Sequence, residues 1–188
     1  MTAGLTALAG AVYGAAGLLL AVLGLHALVL ATVRTLLPRR DLPAAAGPWP
    51  AVVVQLPVYE EPPALIARAL DAALASDYPG RVEIQLLDDS SVASRRVNAA
   101  LCAERRPGVR HLPRDAREGY KAGALAYGLA QTDAPLAAVF DVDFRPSPPT
   151  LRALVGPLLA DEGLAFVQGR WTHPGADRTW LGRAQAAD

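Results

Sequence analysis

The sequence predicts an α/β fold with a mostly parallel, Rossmann-like sheet, preceded by one transmembrane helix. Residues 1–33 carry no charged side chain. After them, short apolar runs rich in β-formers alternate with stretches whose apolar residues recur at helical spacing. Strands that alternate with helices are typical of a parallel sheet with helices on its faces. The near-continuous apolar strands predict that this sheet is buried on both sides.

The N-terminal segment, residues 1–36, is predicted to cross a membrane. Its apolar stretch exceeds the roughly 20 residues that a bilayer core requires. A signal peptide would begin with basic residues and have a shorter apolar core, and a buried soluble helix rarely stays uncharged for so long. Arg34, Arg39 and Arg40 follow the stretch. The positive-inside rule therefore predicts that the remaining chain lies in the cytoplasm, and we expect the helix in the inner or plasma membrane.

The composition excludes several classes of function. The 18 basic and 18 acidic side chains balance, so nothing favours a nucleic-acid partner. The single cysteine, Cys102, excludes an internal disulfide, as suits a cytoplasmic domain.

Residues 37–50 mix Pro, Ala and Gly with charges and are predicted to be a linker. Residues 51–188 are predicted to form the domain.

Within the domain, strands and helices are predicted in strict alternation. The predicted strands cover residues 51–56, 82–87, 109–112, 135–143 and 164–171. The predicted helices cover residues 62–74, 91–106, 121–132 and 150–162. Ligands of open parallel sheets bind beyond the carboxyl ends of the strands. The residues that directly follow each strand are therefore the candidates for function.

Polar residues follow the first two predicted strands. Tyr59 offers an aromatic face for a base, and Glu61 offers an acceptor for ribose or base groups. The glycine patterns of a dinucleotide-binding fold and of a P-loop are both absent from this position. Asp88 and Asp89 are adjacent carboxylates, which repel each other and need a donor or a cation. One of them suffices as a helix cap, so the second favours a binding role.

Asp141 and Asp143 follow the fourth predicted strand. Side chains two apart on an extended chain lie on the same face, so both carboxylates can point at one site. Two hard oxygen ligands suit a divalent cation that is shared with substrate phosphates. An Asp-x-Asp after a strand also occurs in haloacid-dehalogenase-type phosphatases, where the first Asp attacks phosphorus, but there it follows the first strand. Lys121 opens a predicted helix, whose N-terminal amides favour an anion.

Taken in order, these motifs resemble the processive family 2 glycosyltransferases of the cellulose-synthase-like and glucomannan- or mannan-synthase-like branch. The resemblance covers about residues 50–188. The matching segments are QLPVYEEP (55–62), LLDDSS (86–91), REGYKAGAL (117–125), VFDVDFRP (139–146) and FVQGRWTH (166–173). The sequence departs from the family pattern at Glu60, where Asn is common, and at Ser90, where many members have Gly.

The resemblance implies a GT-A nucleotide-diphospho-sugar transferase fold and an inverting transfer of hexose from a UDP- or GDP-sugar to a growing β-glycan acceptor. Tyr59 and Glu61 fall where the family contacts the nucleotide base. Asp88 falls at the position that binds uracil or ribose, with Asp89 beside it.

The resemblance also assigns the diphosphate and acceptor sides of the site. Lys121 falls at the diphosphate-binding lysine, and Asp141 and Asp143 fall at the motif that holds Mg²⁺ or Mn²⁺ on the diphosphate. The segment that lines the acceptor side is matched by Gln168, Arg170, Trp171 and His173. The residues do not distinguish UDP-glucose from GDP-mannose.

No residue of the chain is assigned as the catalytic base. In the family the base is the Asp of a later Thr/Gly-Glu-Asp motif, which a Gln-x-x-Arg-Trp motif follows, and neither occurs before Asp188. We therefore expect the base downstream of Asp188, in a missing remainder or a second polypeptide, and an incomplete GT-A domain. Two alternatives stay open at this point: a membrane-anchored phosphatase with an Asp nucleophile, and a non-catalytic nucleotide-sugar-binding module.

Overall fold

The computed structural model describes residues 2–36, 48–169 and 179–180. The chain divides into two units, the first around the N-terminal helix and the second containing the sheet. Of the predicted linker, only residues 48–50 belong to the described part, so the linker stays a prediction. The predicted acceptor-side residues Arg170, Trp171 and His173 lie outside the described residues.

The first unit contains helix α1, Thr2–Leu36. Its 35 residues correspond to about 50 Å of helix. The part from Gly4 to Leu36 is long and apolar enough to cross a bilayer, and its side chains are exposed. The hydroxyl group of Thr32 donates to the carbonyl oxygen of Leu28 at 2.8 Å, so this polar side chain is satisfied within the helix.

The second unit is built on a parallel sheet of four strands in the order β3-β2-β1-β4. The strands are β1 (Val52–Val58), β2 (Val82–Asp88), β3 (Val109–Pro113) and β4 (Leu136–Val139). The parallel α/β prediction is thus confirmed. The fourth strand ends at Val139 rather than at residue 143, because the chain enters a turn at Asp141.

The predicted fifth strand is wrong over residues 164–169, the part of it that the structure describes. A turn follows the last helix, with the Leu164 amide donating to the Asp161 carbonyl oxygen at 3.1 Å. Residues 165–169 then border a cleft beside β4, so their backbone does not join the ladder of that strand. Phe166 is 75% exposed. An apolar run alone does not make a strand, because its backbone must also pair with that of a neighbouring strand.

Four helices connect or follow the strands, as the sequence predicts. They are α2 (Pro63–Leu74), α3 (Val92–Ala103), α4 (Tyr120–Leu129) and α5 (Thr150–Ala160). Proline begins α2, and the Ser91 side chain caps α3 by accepting from the Ser94 amide. The core lies mainly between the sheet and these helices, and its fully buried members include Leu56, Ile66, Leu70, Ile84 and Leu86.

The strand order creates a switch point between β1 and β4. From β1 the chain runs outward to β2 and β3, and it then returns to the other side of β1 to form β4. The crevice at such a reversal is where open α/β sheets bind ligands. The prediction that both faces are buried holds for β1 but not for β4, where Val139 is 45% exposed.

A buried polar ladder lies on the sheet under α4. The Gln55 amide nitrogen donates to Gln85 Oε1 and to the carbonyl oxygen of Leu125, each at 3.2 Å. The Gln85 amide nitrogen donates in turn to Glu83 at 3.1 Å. Helix α4 approaches this ladder at Gly128, where a methyl group would lie 2.5 Å from the Gln55 nitrogen. The ladder therefore sets the distance between the sheet and the helix that carries Lys121.

Replacing Gly128 with alanine is expected to lower the free energy of unfolding by about 1–3 kcal/mol, because the methyl group overpacks the ladder. The overpacking outweighs the ~1 kcal/mol by which alanine is favoured over glycine inside a helix. Urea unfolding of the full chain in detergent micelles measures the change. Gly163→Ala is the matched control, since its methyl group would meet only the Asp161 side chain at 3.1 Å. Equal midpoints for the two variants would contradict the close packing of α4.

Candidate functional site

The candidate site lies at the carboxyl ends of β1, β2 and β4. It consists of residues 59–61 after β1, residues 88–91 around the end of β2, the loop 114–121 that leads into α4, and residues 141–143 after β4. Because the strands are parallel, these segments meet at one edge of the sheet.

Asp88 is the last residue of β2, and its side chain is fully buried. Its Oδ2 accepts from Asn98 Nδ2 at 2.9 Å and lies 2.8 Å from His111 Nε2, while its Oδ1 accepts the Ser90 amide at 3.0 Å. Burial by itself would raise the pKa of Asp88, but the hydrogen bonds from His111, Asn98 and Ser90 outweigh it and lower the pKa to about 2. Asp88 is therefore ionised at neutral pH and held entirely by protein groups. Its predicted contact with uracil or ribose stays a prediction.

Asp89 forms a two-pronged ion pair with Arg114. Arg114 Nε lies 2.7 Å from Asp89 Oδ1 and Nη2 lies 2.6 Å from Oδ2, with only 5% of the Asp89 side chain exposed. The same guanidinium donates to the carbonyl oxygens of Glu118 and Tyr120, each at 3.0 Å. Arg114 thus ties the acidic pair after β2 to the start of α4.

The start of α4 is a tight, partly left-handed turn. Gly119 has φ +67° and Tyr120 has φ +49°. A methyl group at Gly123 would lie 2.0 Å from the Glu118 carbonyl oxygen, so only glycine fits there. The turn places Lys121 in the first turn of the helix, where its ammonium group contacts Asp141 Oδ1. The structure therefore brings together the predicted phosphate-binding lysine and the first residue of the Asp-x-Asp.

Tyr59 and the half-buried Glu61 follow β1 on the other side of the switch point. Tyr59 is 48% exposed, and the Arg117 guanidinium carbon lies 3.4 Å from the centre of its ring. The same carbon lies 5.2 Å from the ring centre of Tyr120. Such stacking is a cation–π contact. In this structure Arg117 covers a face of Tyr59, so a base that stacks on that face must displace the guanidinium or stack beside it.

Asp141, Val142 and Asp143 lie in a turn and not in an extended strand. The Phe144 amide closes this turn by donating to the Asp141 carbonyl oxygen at 2.9 Å. The prediction that Asp141 and Asp143 lie on one face of an extended strand is therefore wrong. Both residues still follow β4 at the switch point. Asp141 is half-buried and Asp143 is exposed.

The two carboxylates fit a divalent cation that takes its other ligands from elsewhere. Within the described ranges, no group of three or more His, Cys, Asp or Glu side chains is placed to hold a metal. The Asp143 side chain makes no hydrogen bond or ion pair to any residue that the structure describes. Two hard oxygen donors with open positions opposite are what Mg²⁺ or Mn²⁺ uses when phosphate oxygens and water complete its shell.

A cleft of about 560 Å³ lies beside β4 and is lined mainly by apolar side chains of β4 and α5. Asp141 lines this cleft, and so does Gln168, which is exposed. One of the predicted acceptor-side residues is thus on the same cleft as the first residue of the Asp-x-Asp.

The site also contains four residues that are not predicted from the sequence: Arg114, Arg117, Asn98 and His111. A usable signal was present for Arg114. Adjacent carboxylates need a cation, and Arg114 and Arg117 follow the neighbouring strand β3.

A parallel α/β sheet with charged groups gathered at its switch point is typical of the open α/β folds that bind a ligand there. The chain belongs to glycosyl transferase family 2, whose model matches residues 53–186. It is 34% identical over 153 residues to glucomannan 4-beta-mannosyltransferase 7 of Arabidopsis thaliana, covering 77% of this chain and 27% of that protein. It is 29% identical over 157 residues to glucomannan 4-beta-mannosyltransferase 1 of Oryza sativa subsp. japonica, covering 79% of this chain and 30% of that protein.

Among solved structures, the chain is similar to the mannosyltransferase PcManGT from Pyrobaculum calidifontis in complex with GDP-Man and Mn²⁺. The TM-score is 0.57 and the sequence identity 28%, over 66% of this chain and 37% of that one. This likeness confirms the predicted GT-A type of fold. The chain spans less than a third of the length of the curated relatives that it matches. Family membership favours the transferase interpretation over the phosphatase.

Proposed function

We propose that this chain forms the nucleotide-sugar-binding part of a membrane-anchored inverting glycosyltransferase, which transfers a hexose from a UDP- or GDP-sugar to a growing β-glycan. The observation that carries the proposal is the contact between Lys121 and Asp141 at the switch point. A cation that can bind a diphosphate and a carboxylate that can bind a metal lie side by side there. Family membership supports the same function.

The residues divide into a nucleoside end and a diphosphate end. Tyr59 and Glu61 bind the base and ribose, with Asp88 and Asp89 supporting them from the next strand. Lys121 binds the diphosphate, and Asp141 and Asp143 hold Mg²⁺ or Mn²⁺. When bound, the cation neutralises the diphosphate leaving group. Asp143 is exposed and would be available to the metal, and Asp141, which contacts Lys121 in this structure, would be its second carboxylate ligand.

The acceptor side is assigned to the segment after α5, with Gln168, Arg170, Trp171 and His173 as its proposed residues. Gln168 supports this because it lines the same cleft as Asp141. We assign no catalytic base within the chain. Donor binding is therefore the step that this chain can be tested for by itself.

The printed names of the relatives favour GDP-mannose as the first donor to test. Two of them are named mannosyltransferases, and the solved neighbour is described with GDP-Man and Mn²⁺. Helix α1 serves as the membrane anchor, because Gly4 to Leu36 is long and apolar enough to span a bilayer. Arg34 in the last turn of this helix supports a cytoplasmic location for the chain that follows, by the positive-inside rule.

Replacing both Asp141 and Asp143 with alanine is expected to weaken metal-dependent donor binding at least about 100-fold, or about 2.7 kcal/mol. The variant loses both proposed metal ligands. Calorimetric titration of the full chain in detergent micelles with GDP-mannose and with UDP-glucose, each with and without Mn²⁺, measures the effect.

Asp133→Asn is the matched control, because Asp133 is an exposed aspartate that precedes β4 and pairs with Arg81. It should bind the donor like the wild type. Equal affinity of the Asp141/Asp143 double variant and the wild type would rule out the metal assignment. Absence of metal-dependent binding in the wild type would rule out the proposed function itself.

A further inference from the structure

Glu60 has a left-handed backbone between the two residues proposed to bind the nucleoside. Its φ is +58°, a region that side chains other than glycine rarely adopt, and its side chain is exposed. Tyr59 precedes it and Glu61 follows it. A non-glycine residue keeps such a conformation only where its surroundings fix it, and residues of this kind cluster at ligand-binding sites.

Three serines after β2 hold Glu60 in place. Its amide donates to Ser90 Oγ at 3.0 Å. Its carboxylate accepts the Ser91 amide through Oε1 and the Ser94 hydroxyl group through Oε2, the latter at 2.7 Å. The hydrogen bond from the Ser91 backbone, followed by that from Ser94, lowers the pKa of Glu60. We call Glu60, Ser90, Ser91 and Ser94 the Glu60 clamp.

The clamp joins the loop after β1 to the start of α3. Ser91 is the N-cap of α3, so the Glu60 carboxylate lies at the positive end of that helix. Ser90 also donates its amide to Asp88, which connects the clamp to the buried network at the end of β2. Both carboxylate oxygens of Glu60 are therefore engaged by protein donors.

We propose that Glu60 is a positioning residue that fixes Tyr59 and Glu61 for recognition of the nucleoside. This inference rests on the proposed function, and it adds a residue that determines how the nucleoside end of the site is built. Glu60 acts through its neighbours and does not contact the ligand. The diphosphate end, with Lys121 and Asp141, shares no hydrogen bond with the clamp among the described contacts.

Replacing Glu60 with glycine and with glutamine distinguishes the effect of the clamp on nucleoside binding from the effect of backbone strain. Glycine adopts a positive φ without cost, so Glu60→Gly removes the carboxylate and relieves the strain. If the left-handed turn alone mattered, this variant would bind the nucleoside at least as well as the wild type. Glu60→Gln keeps one acceptor oxygen but loses the charge, so it should retain part of the clamp.

The test compares two probes that share the diphosphate: GDP with Mn²⁺, and inorganic pyrophosphate with Mn²⁺. Both are titrated calorimetrically into the full chain in detergent micelles. We expect Glu60→Gly to weaken GDP binding about tenfold while pyrophosphate binding changes less than about twofold. Glu60→Gln should fall between Glu60→Gly and the wild type. Glu104→Gln is the matched control, since Glu104 is exposed and follows the far end of α3, and it should match the wild type with both probes.

Two outcomes would overturn the inference, and a third would overturn the proposed function. Unchanged GDP affinity in Glu60→Gly would overturn the inference, and so would an equal loss for GDP and pyrophosphate, which would indicate a general disturbance. A wild-type chain that binds neither probe with Mn²⁺ would overturn the proposed function instead. If Glu60→Gly does not fold, Ser94→Ala removes one partner of the carboxylate, and we expect it to weaken GDP binding about threefold and pyrophosphate binding not at all.

Discussion

Replacing Asp88 with alanine is expected to lower the free energy of unfolding by about 3 kcal/mol. The substitution leaves the Asn98 amide, the Ser90 amide and His111 without their acceptor in the interior. A buried donor without a partner loses its full solvation and gains nothing in return. Urea unfolding of the full chain in detergent micelles, followed by tryptophan fluorescence, measures this loss.

Lowering the pH distinguishes the contribution of the Asp88 charge to the free energy of unfolding from the contribution of its packing. The pKa of Asp88 in the folded domain is about 2, below its ordinary value of 3.8. A lowered pKa stabilises the folded state at pH values above the unfolded pKa, and this stabilisation disappears as the pH falls through the folded pKa. We therefore expect the wild type to lose about 2 kcal/mol through this group between pH 5 and pH 2.

Asp88→Asn should lack this part of the acid sensitivity, while Asp143→Asn, which alters an exposed carboxylate, should keep it. If the wild type and Asp88→Asn lose stability in parallel on acidification, the charge of Asp88 does not support the folded domain.

The sequence predicts the edge of the sheet at which the site lies, because that follows from local patterns alone. Alternating apolar strands and helices define a parallel sheet, and the carboxyl ends of its strands meet at one edge. For this reason Lys121 and Asp141 lie in contact although they are 20 residues apart in sequence. Such a contact is expected if one binds the diphosphate and the other binds the metal on it.

The roles of Asp88 and Asp89 are not predictable in the same way. Adjacent residues of a strand point to opposite sides, and which of them is enclosed depends on the elements that pack against each face. In the structure, α3 and β3 supply Asn98 and His111 to Asp88, while the loop before α4 supplies Arg114 to Asp89. These partners lie 10, 23 and 25 residues away in sequence, and no local pattern selects them.

The prediction is wrong at the end of β4 and at the fifth strand for a related reason. A strand extends only as far as its backbone stays beside that of its partner: β1 continues to Val58, but the chain after β4 turns away at Asp141. β4 pairs with β1 only from Leu136 to Val139, so the apolar residue Phe140 belongs to the loop even though it is buried. Sequence periodicity reports burial, and burial continues past the last paired residue.

Replacing Arg114 with alanine is the second change with a large expected effect. We expect it to lower the free energy of unfolding by about 3 kcal/mol, since removing one partner of an enclosed ion pair leaves the other charge uncompensated. Among the residues that the structure describes, only Arg117, at 4.0 Å, would then form an ion pair with the Asp89 carboxylate, of which 5% is exposed. The carbonyl oxygens of Glu118 and Tyr120 would also lose their donor, which loosens the turn that presents Lys121.

Two measurements test this role. Urea unfolding gives the stability, and titration with pyrophosphate and Mn²⁺ gives the effect on the diphosphate end, which we expect to weaken about tenfold. Arg81→Ala is the matched control, because the Arg81–Asp133 pair is exposed on both sides and should contribute less than about 1 kcal/mol. Arg114→Lys keeps the charge but cannot form the two-pronged contact, so it should fall between alanine and the wild type.

The double variant Arg114→Ala with Asp89→Ala isolates the cause. If the uncompensated charge of Asp89 produces the loss, removing that charge as well should restore part of the stability. The double variant should then be more stable than Arg114→Ala alone, although the turn before α4 stays loose and pyrophosphate binding stays weak. If the two substitutions add without any recovery, the packing of Arg114 against the turn, and not its charge, stabilises the domain at this point.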